Sequence, residues 1–217
     1  MSRERVEKLR AVITRRQPDL TVVMENVHKP HNFSAVVRTC DAVGILDAHA
    51  VVPPGHVAPN AAVAQSAQKW VRVRTHAAVA DAVAAVRQSG HKVVAAHLSE
   101  RAVDFRAFDY TQPTALLLGQ ELGGVTEEAL ALVDAEVVIP MAGLVASLNV
   151  SVAAAVILYE AQRQREAKGL YAKPRLSDVE AQRLLFEYLH PDMAEHYAKR
   201  GEPYPAFDDD GHIVFKK

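Results

Sequence analysis

A single cysteine, Cys40, occurs in 217 residues, so no internal disulfide can form and the chain fits a reducing cytoplasm. There is no CxxC pair and no other zinc-like spacing, and no metal is expected. The longest apolar run, residues 150–159, is broken by Ser151 and is too short to cross a bilayer, so no membrane role is expected. The first residues are charged from Arg3 onward, unlike a secretory signal. Without such a signal, the glycosylation patterns at Asn32-Phe33-Ser34 and Asn149-Val150-Ser151 carry no weight. Neither the dinucleotide fingerprint GxGxxG nor the nucleophile elbow GxSxG is present. An excess of one charge is also lacking. Lys and Arg total 25 against 26 Asp and Glu, with a pI near 6.8, whereas polyanion-binding chains are usually more basic.

What is present is ordinary for a soluble globular protein, at 49% hydrophobic and 24% charged residues, and long enough for one sizeable core with small appendages. Short β-branched runs alternate with helical patterns. Strands are expected near residues 21–25, 49–52, 71–74, 92–98, 114–118 and 136–139. Helices are expected near 3–16, 33–43 (capped by Asn32 and stopped by Gly44), 79–88, 127–133, 149–167 and 176–189. Several strands are apolar on both faces, which predicts an α/β fold with a mostly parallel sheet covered on both sides. Pro53, Pro54, Gly55 and Pro59 mark an irregular loop. The composition shifts after Gly169, and residues 204–215 read as a small hairpin or irregular tail turning at Asp210-Gly211. Three parts are expected: a basic N-terminal helix (1–18), an α/β domain (19–169) and a C-terminal extension (170–217).

Charge is unevenly placed. Arg3, Arg5, Lys8, Arg10, Arg15 and Arg16 crowd the first helix, Arg163, Arg165 and Lys168 the end of the long one, and Asp208 to Asp210 offset them in the tail. On charge alone these are solvated helix faces.

Three loops carry polar residues beyond what folding needs. In the first, Asn32 and Arg38 flank the start of a helix, where an arginine opposes the macrodipole and calls for an anion or an ion pair such as one to Asp41. The second, residues 119–124 (GQELGG), follows an apolar strand. Its glycines allow close backbone approach, while Glu121 would repel a phosphate, so it either caps a helix or holds a cofactor that carries none. The third joins the strand at 136–139 to the helix at 149–167, with Ser147 and Asn149 as N-cap candidates. Ile139, Met141 and Leu148 beside free backbone groups suit a flat heteroaromatic ring, although an ordinary strand–helix turn has the same pattern. His28 and His31 lack a third metal ligand. Cys40, near Arg38, reads as a buried helix cysteine rather than an activated thiol.

The segments ENVHKPHNFSAVVRTCDAVG, LLLGQELGGVTEEALALVD and IPMAGLVASLNVSVAAAVILYEAQRQR, in that order, resemble the three motifs of SPOUT-class RNA 2′-O-ribose methyltransferases. RRQPDL and AKRGEPYP are similar to the subgroup that modifies guanosine 18 of the tRNA D-loop, and the likeness covers nearly the whole chain. The resemblance implies a Rossmann-like sheet with a C-terminal deep trefoil knot, S-adenosyl-L-methionine bound in the knot, a homodimer, and tRNA as partner. It implies that Arg38 is catalytic across the dimer interface, with Asn32 in support. Ala96, Gly119, Ile139, Met141 and Leu148 would bind the cofactor, and Glu121, Ser147 and Asn149 would support it. Arg5, Arg10, Arg15, Arg16 and Arg163 become candidate RNA contacts, which replaces the reading of those clusters as merely solvated faces. Two departures stand out: Gln65-Ser66-Ala67-Gln68 where relatives carry a Gly-Ser pair, and Ala146 in place of a glutamine.

The attacking group would be a ribose 2′-hydroxyl, a weak nucleophile. A guanidinium hardly deprotonates in proteins, so stabilising a developing alkoxide or gripping a phosphate is favoured for Arg38 over general-base action after a pKa depression. Two other readings remain at this level: the same chemistry on ribosomal RNA or a wobble nucleotide, and a non-catalytic RNA-binding protein on the same fold.

Overall fold

The computed structural model describes residues 2–52, 69–120 and 123–214. The proline-rich loop, the segment Gln65-Ser66-Ala67-Gln68 and Glu121 lie outside the described residues. The chain divides into two compact units, Gln17–Leu170 and Met1–Arg16 with Tyr171–Lys217.

The larger unit is a seven-stranded sheet, every neighbouring pair parallel, in the order β3-β2-β1-β6-β4-β7-β5. The strands are β1 (Leu20–Glu25), β2 (Asp47–Val51), β3 (Arg72–His76), β4 (Lys92–Ala96), β5 (Val103–Asp104), β6 (Thr114–Leu118) and β7 (Ala135–Val138). Its helices are α2 (Pro30–Ala42), α3 (Val79–Gln88), α4 (Glu127–Leu130) and α5 (Val150–Ala167). β1 and β6 are buried along their whole length, which accounts for their mostly apolar sequences. Strand pleating divides those runs between two cores. Leu116 and Leu118 face α2 and α5, while Ala115 and Leu117 face α3.

Two expected elements shift. α2 begins at Pro30, whose missing N–H and fixed φ suit the first helical position, so Asn32 lies inside the first turn rather than capping it. The helix expected at 127–133 stops at Leu130. β5 has no expected counterpart, since two residues carry no periodicity.

Arg165 is fully buried, which corrects its reading as part of a surface cluster. Its guanidinium donates to the carbonyls of Tyr110, Asp19 and Gln112, to Gln17 Oε1 at 3.1 Å and to Asp19 Oδ1 at 2.7 Å. One side chain thereby joins two separated stretches of this unit, residues 17–19 and 110–112, to α5.

The terminal unit contains α1 (Arg3–Thr14), α6 (Asp178–Leu189) and α7 (Pro191–Arg200). α1 packs Val6, Leu9 and Ile13 toward α6. A reciprocal capping box of Ser177 and Glu180 starts α6. α7 was not expected from sequence, and Gly201 at φ 66° ends it. In the tail, Phe207 and Ile213 form an antiparallel bridge around Gly211.

Candidate cofactor cleft at the strand ends

The C-terminal ends of β4, β6 and β7 open into a cleft of about 340 Å³, within the range of small-molecule sites. In open parallel sheets this is the end of the strands where ligands bind. Ala96 comes from β4, Gly119 from the end of β6, and Ile139, Met141 and Leu148 from the segment that follows β7; all five line this one cleft. Ser147 lines it as well. Apolar side chains and backbone dominate the walls, and no lysine or arginine is among the described lining residues. That lining suits an aromatic ring and a cationic centre better than a phosphate.

The glycine loop after β6 folds back on itself. Gln120 N–H donates to Gly124 O at 3.1 Å, and Gly124 N–H returns to Gln120 O at 3.0 Å. A Cβ on Gly119 would lie 2.1 Å from the carbonyl carbon of Gly124. Glycine at 119 is therefore demanded first by the loop's own backbone. Across the cleft, Glu136 on β7 accepts from Ser99 Oγ and from the Arg101 guanidinium, fixing the turn that carries His97 and Leu98 into the wall. The Ser99 hydrogen bond, aided by the Arg101 charge, holds the Glu136 carboxyl below the usual range despite its burial.

Asn149 caps α5. Its Oδ1 accepts from Ser151 N–H at 2.9 Å and from Ser151 Oγ at 2.7 Å. Its Nδ2 donates to Oδ1 of Asn32 at 3.2 Å, and Asn32 is buried. The first and third motifs are thus joined by an amide pair. Arg38 stands past the midpoint of α2, exposed, so the macrodipole no longer calls for a special partner. Among the described residues it makes no hydrogen bond or ion pair, to Asp41 or otherwise, and it is not among those lining the cleft. Cys40 is buried, and burial pushes its thiol up to about 12, leaving an inert side chain.

Among the candidate RNA contacts, Arg5, Arg10 and Arg15 are exposed on the terminal unit, with Arg15 over the Tyr171 ring at 5.5 Å. Arg163 is exposed on α5 and paired with Glu160. Arg16 is corrected. It has no accessible surface and donates to Tyr188 Oη at 3.2 Å, so it serves the packing of the terminal unit and not a surface contact. Among the described residues no group of three or more His, Cys, Asp or Glu could hold a metal, and no helix is long and apolar enough to cross a membrane.

The model of the SpoU rRNA Methylase family matches residues 19–159, and that of the SpoU rRNA methylase C-terminal region matches residues 163–216. The chain belongs to the SpoU methylase family. A similar relative of this SpoU family member is the tRNA (guanosine(18)-2′-O)-methyltransferase of Escherichia coli K12, 50% identical over 98% of this chain and 94% of that protein. A similar solved structure is the TrmH/SpoU tRNA modifying enzyme of Aquifex aeolicus, with TM-score 0.80 and 44% identity over 87% of this chain and 96% of that one. The SpoU methyltransferase AviRb of Streptomyces viridochromogenes, solved in complex with AdoMet, matches with TM-score 0.60 and 30% identity over 70% of this chain and 62% of that one.

Two pairings near this cleft escaped the sequence reading, Glu136 with Ser99 and Arg101, and Glu25 with Thr126. The available signal was an acid placed within or at the end of an otherwise apolar strand, in EVV and LTVVME.

Proposed function

We propose that this protein transfers a methyl group from S-adenosyl-L-methionine to the ribose 2′-hydroxyl of guanosine 18 in tRNA, as a cytoplasmic homodimer. The observation that carries it is the convergence of Ala96, Gly119, Ile139, Met141 and Leu148 on one cleft at the strand ends. Relatives named for that activity and matching over nearly the full chain support it.

The cofactor supplies an electrophilic methyl on a sulfonium. This chain's apolar walls and strand-end backbone groups would hold the adenine and the sulfonium, and no cationic side chain among the described lining residues opposes the positive charge. The family's C-terminal knot would bring the loops after β6 and β7 together. Arg38 does not line its own chain's cleft, so it would serve the cleft of the other subunit, stabilising the developing alkoxide or the adjacent phosphate. Asn32, held by Asn149, would anchor the first turn of the helix that presents Arg38. Apolar Leu98, Leu144 and Val145 beside the cleft, and Val152 and Tyr159 on α5, are exposed in the single chain, which favours a second copy covering them. Arg5, Arg10, Arg15 and Arg163 would contact phosphates.

The test incubates the protein with labelled S-adenosylmethionine and tRNA transcripts, with and without substitution at position 18, and maps the label. A 2′-O-methyl group at guanosine 18 is expected. Label on a base, label persisting after position 18 is changed, or no label rejects the proposal.

A further inference from the structure

We infer that Glu25 is a positioning residue that holds the glycine loop of the cleft in shape through Thr126; this rests on reading the cleft as the S-adenosylmethionine site. Met24 pairs with Leu118 in the sheet, so Glu25, ending β1, stands level with Gly119, where the loop leaves the neighbouring strand. Glu25 is 2% exposed and does not line the cleft. Its Oε2 accepts from Thr126 N–H at 3.0 Å and its Oε1 from the Thr126 hydroxyl at 2.6 Å. Thr126 Oγ in turn accepts from Ala129 N–H at 3.2 Å, capping α4.

A buried carboxylate is costly unless hydrogen-bonded, and the rest of β1 is mostly apolar. Packing alone gives no reason for an acid here. What the acid does is fasten the returning end of the loop to β1, while the departing end is continuous with β6. Between the two fixed ends, Gly119 and Gly124 touch backbone to backbone, and Gly119, Gln120, Gly123 and Gly124 form one wall of the cleft. Slack at Thr126 would therefore reach the cleft wall directly. Glu25 also lies on the segment leading to Asn32 and Arg38, so it ties the first motif to the second as Asn149 ties the first to the third.

The test titrates S-adenosylmethionine into the full chain by calorimetry and measures tRNA binding separately. Thr126→Val is expected to raise the Kd for S-adenosylmethionine about tenfold, the size of one lost charge-assisted hydrogen bond, and Glu25→Ala, which removes two, at least as much, with the Kd for tRNA within twofold of the parent in both. Thr126→Ser, which keeps both donors and the cap, should bind within twofold of the parent. Parental binding by Thr126→Val, or equal weakening in Thr126→Ser, overturns the inference while leaving the cofactor reading intact. A parent chain that does not bind S-adenosylmethionine overturns both. Should the variants not fold, amide exchange in the parent decides. Thr126 N–H is expected to be as protected as the amides of β6, and protection no better than that of exposed turns overturns the inference.

Discussion

The amide pair Asn149–Asn32 gives a test in which each atom has a separate consequence. Asn149 Oδ1 must face Ser151, because a backbone N–H can only donate, so Nδ2 is the group turned to Asn32. Asn149→Ala removes an N-cap, about 1 kcal/mol, and one side-chain hydrogen bond, another ~1 kcal/mol. Together these give an expected cost of about 2 kcal/mol. Asn149→Asp keeps the acceptor for Ser151 and gains from the helix dipole, yet it sets an oxygen against Asn32 Oδ1. It should cost about 1 kcal/mol and isolate the amide pair from the cap. Urea unfolding followed by far-UV circular dichroism, at one protein concentration because the proposed dimer makes stability concentration-dependent, gives each value. A double-mutant cycle with Asn32→Ala should return a coupling near 1 kcal/mol. Coupling below about 0.3 kcal/mol, or an Asn149→Asp cost equal to that of Asn149→Ala, would refute the assignment.

Gly119→Ala should abolish S-adenosylmethionine binding and cost about 3 kcal/mol, because the new methyl meets Gly124 backbone at 2.1 Å; calorimetry and a thermal melt check both. Arg165→Met should destabilise by about 3–5 kcal/mol in urea, and Arg165→Lys should not restore it, since an ammonium cannot serve the planar set of acceptors at Tyr110, Asp19 and Gln112. His49, buried and stacked on His76, has its pKa lowered to about 4, by burial first and then by the charges of His76 and Arg74. A lowered histidine pKa means the folded state resists protonation. Melting temperature should hold steady above pH 6.5 and fall as pH drops from 6.5 toward 4, a slope that His49→Asn should flatten. Arg38→Ala should reduce methyl transfer by about a hundredfold or more while S-adenosylmethionine titrates normally, the outcome expected of a group that acts on developing charge.

The sheet was legible because β1 and β6 are mostly apolar, and the helices because α3 carries a clear 3.6-residue pattern and α5 is alanine-rich. The five cleft residues came from motif likeness, and the sheet order explains why they meet: β4, β6 and β7 are neighbours although their sequence order is interrupted. Helix starts were less legible. Asn32 has the chemistry of a cap, but Pro30 two residues earlier fixes the backbone first, which frees the Asn32 amide for Asn149. Buried arginines were illegible. Arg16 and Arg165 sit in basic clusters indistinguishable in sequence from their exposed neighbours, and only their distant acceptors, Tyr188 and the Asp19 to Gln112 set, reveal them. Glu25 was missed for the same reason, its partner Thr126 being far along the chain.

Those buried cations bear on how a near-neutral chain would grip a polyanion. With Arg16 and Arg165 committed to packing, the exposed candidates per chain are Arg5, Arg10, Arg15 and Arg163, and Arg163 already faces Glu160. So few phosphate contacts in one chain give weak binding, with a correspondingly shallow salt dependence. A homodimer doubles the set on one RNA and makes the second engagement intramolecular, which raises affinity without any further basic residue. The same pairing would bring one subunit's Arg38, which is not among the residues lining its own cleft, to the cleft of the other. The proposed dimer would therefore answer two deficits of the single chain at once, its few candidate phosphate contacts and an Arg38 remote from its own cleft. On this view the near-neutral charge is compatible with an RNA substrate, because the charge that matters is placed by assembly and is not visible in the composition of one chain.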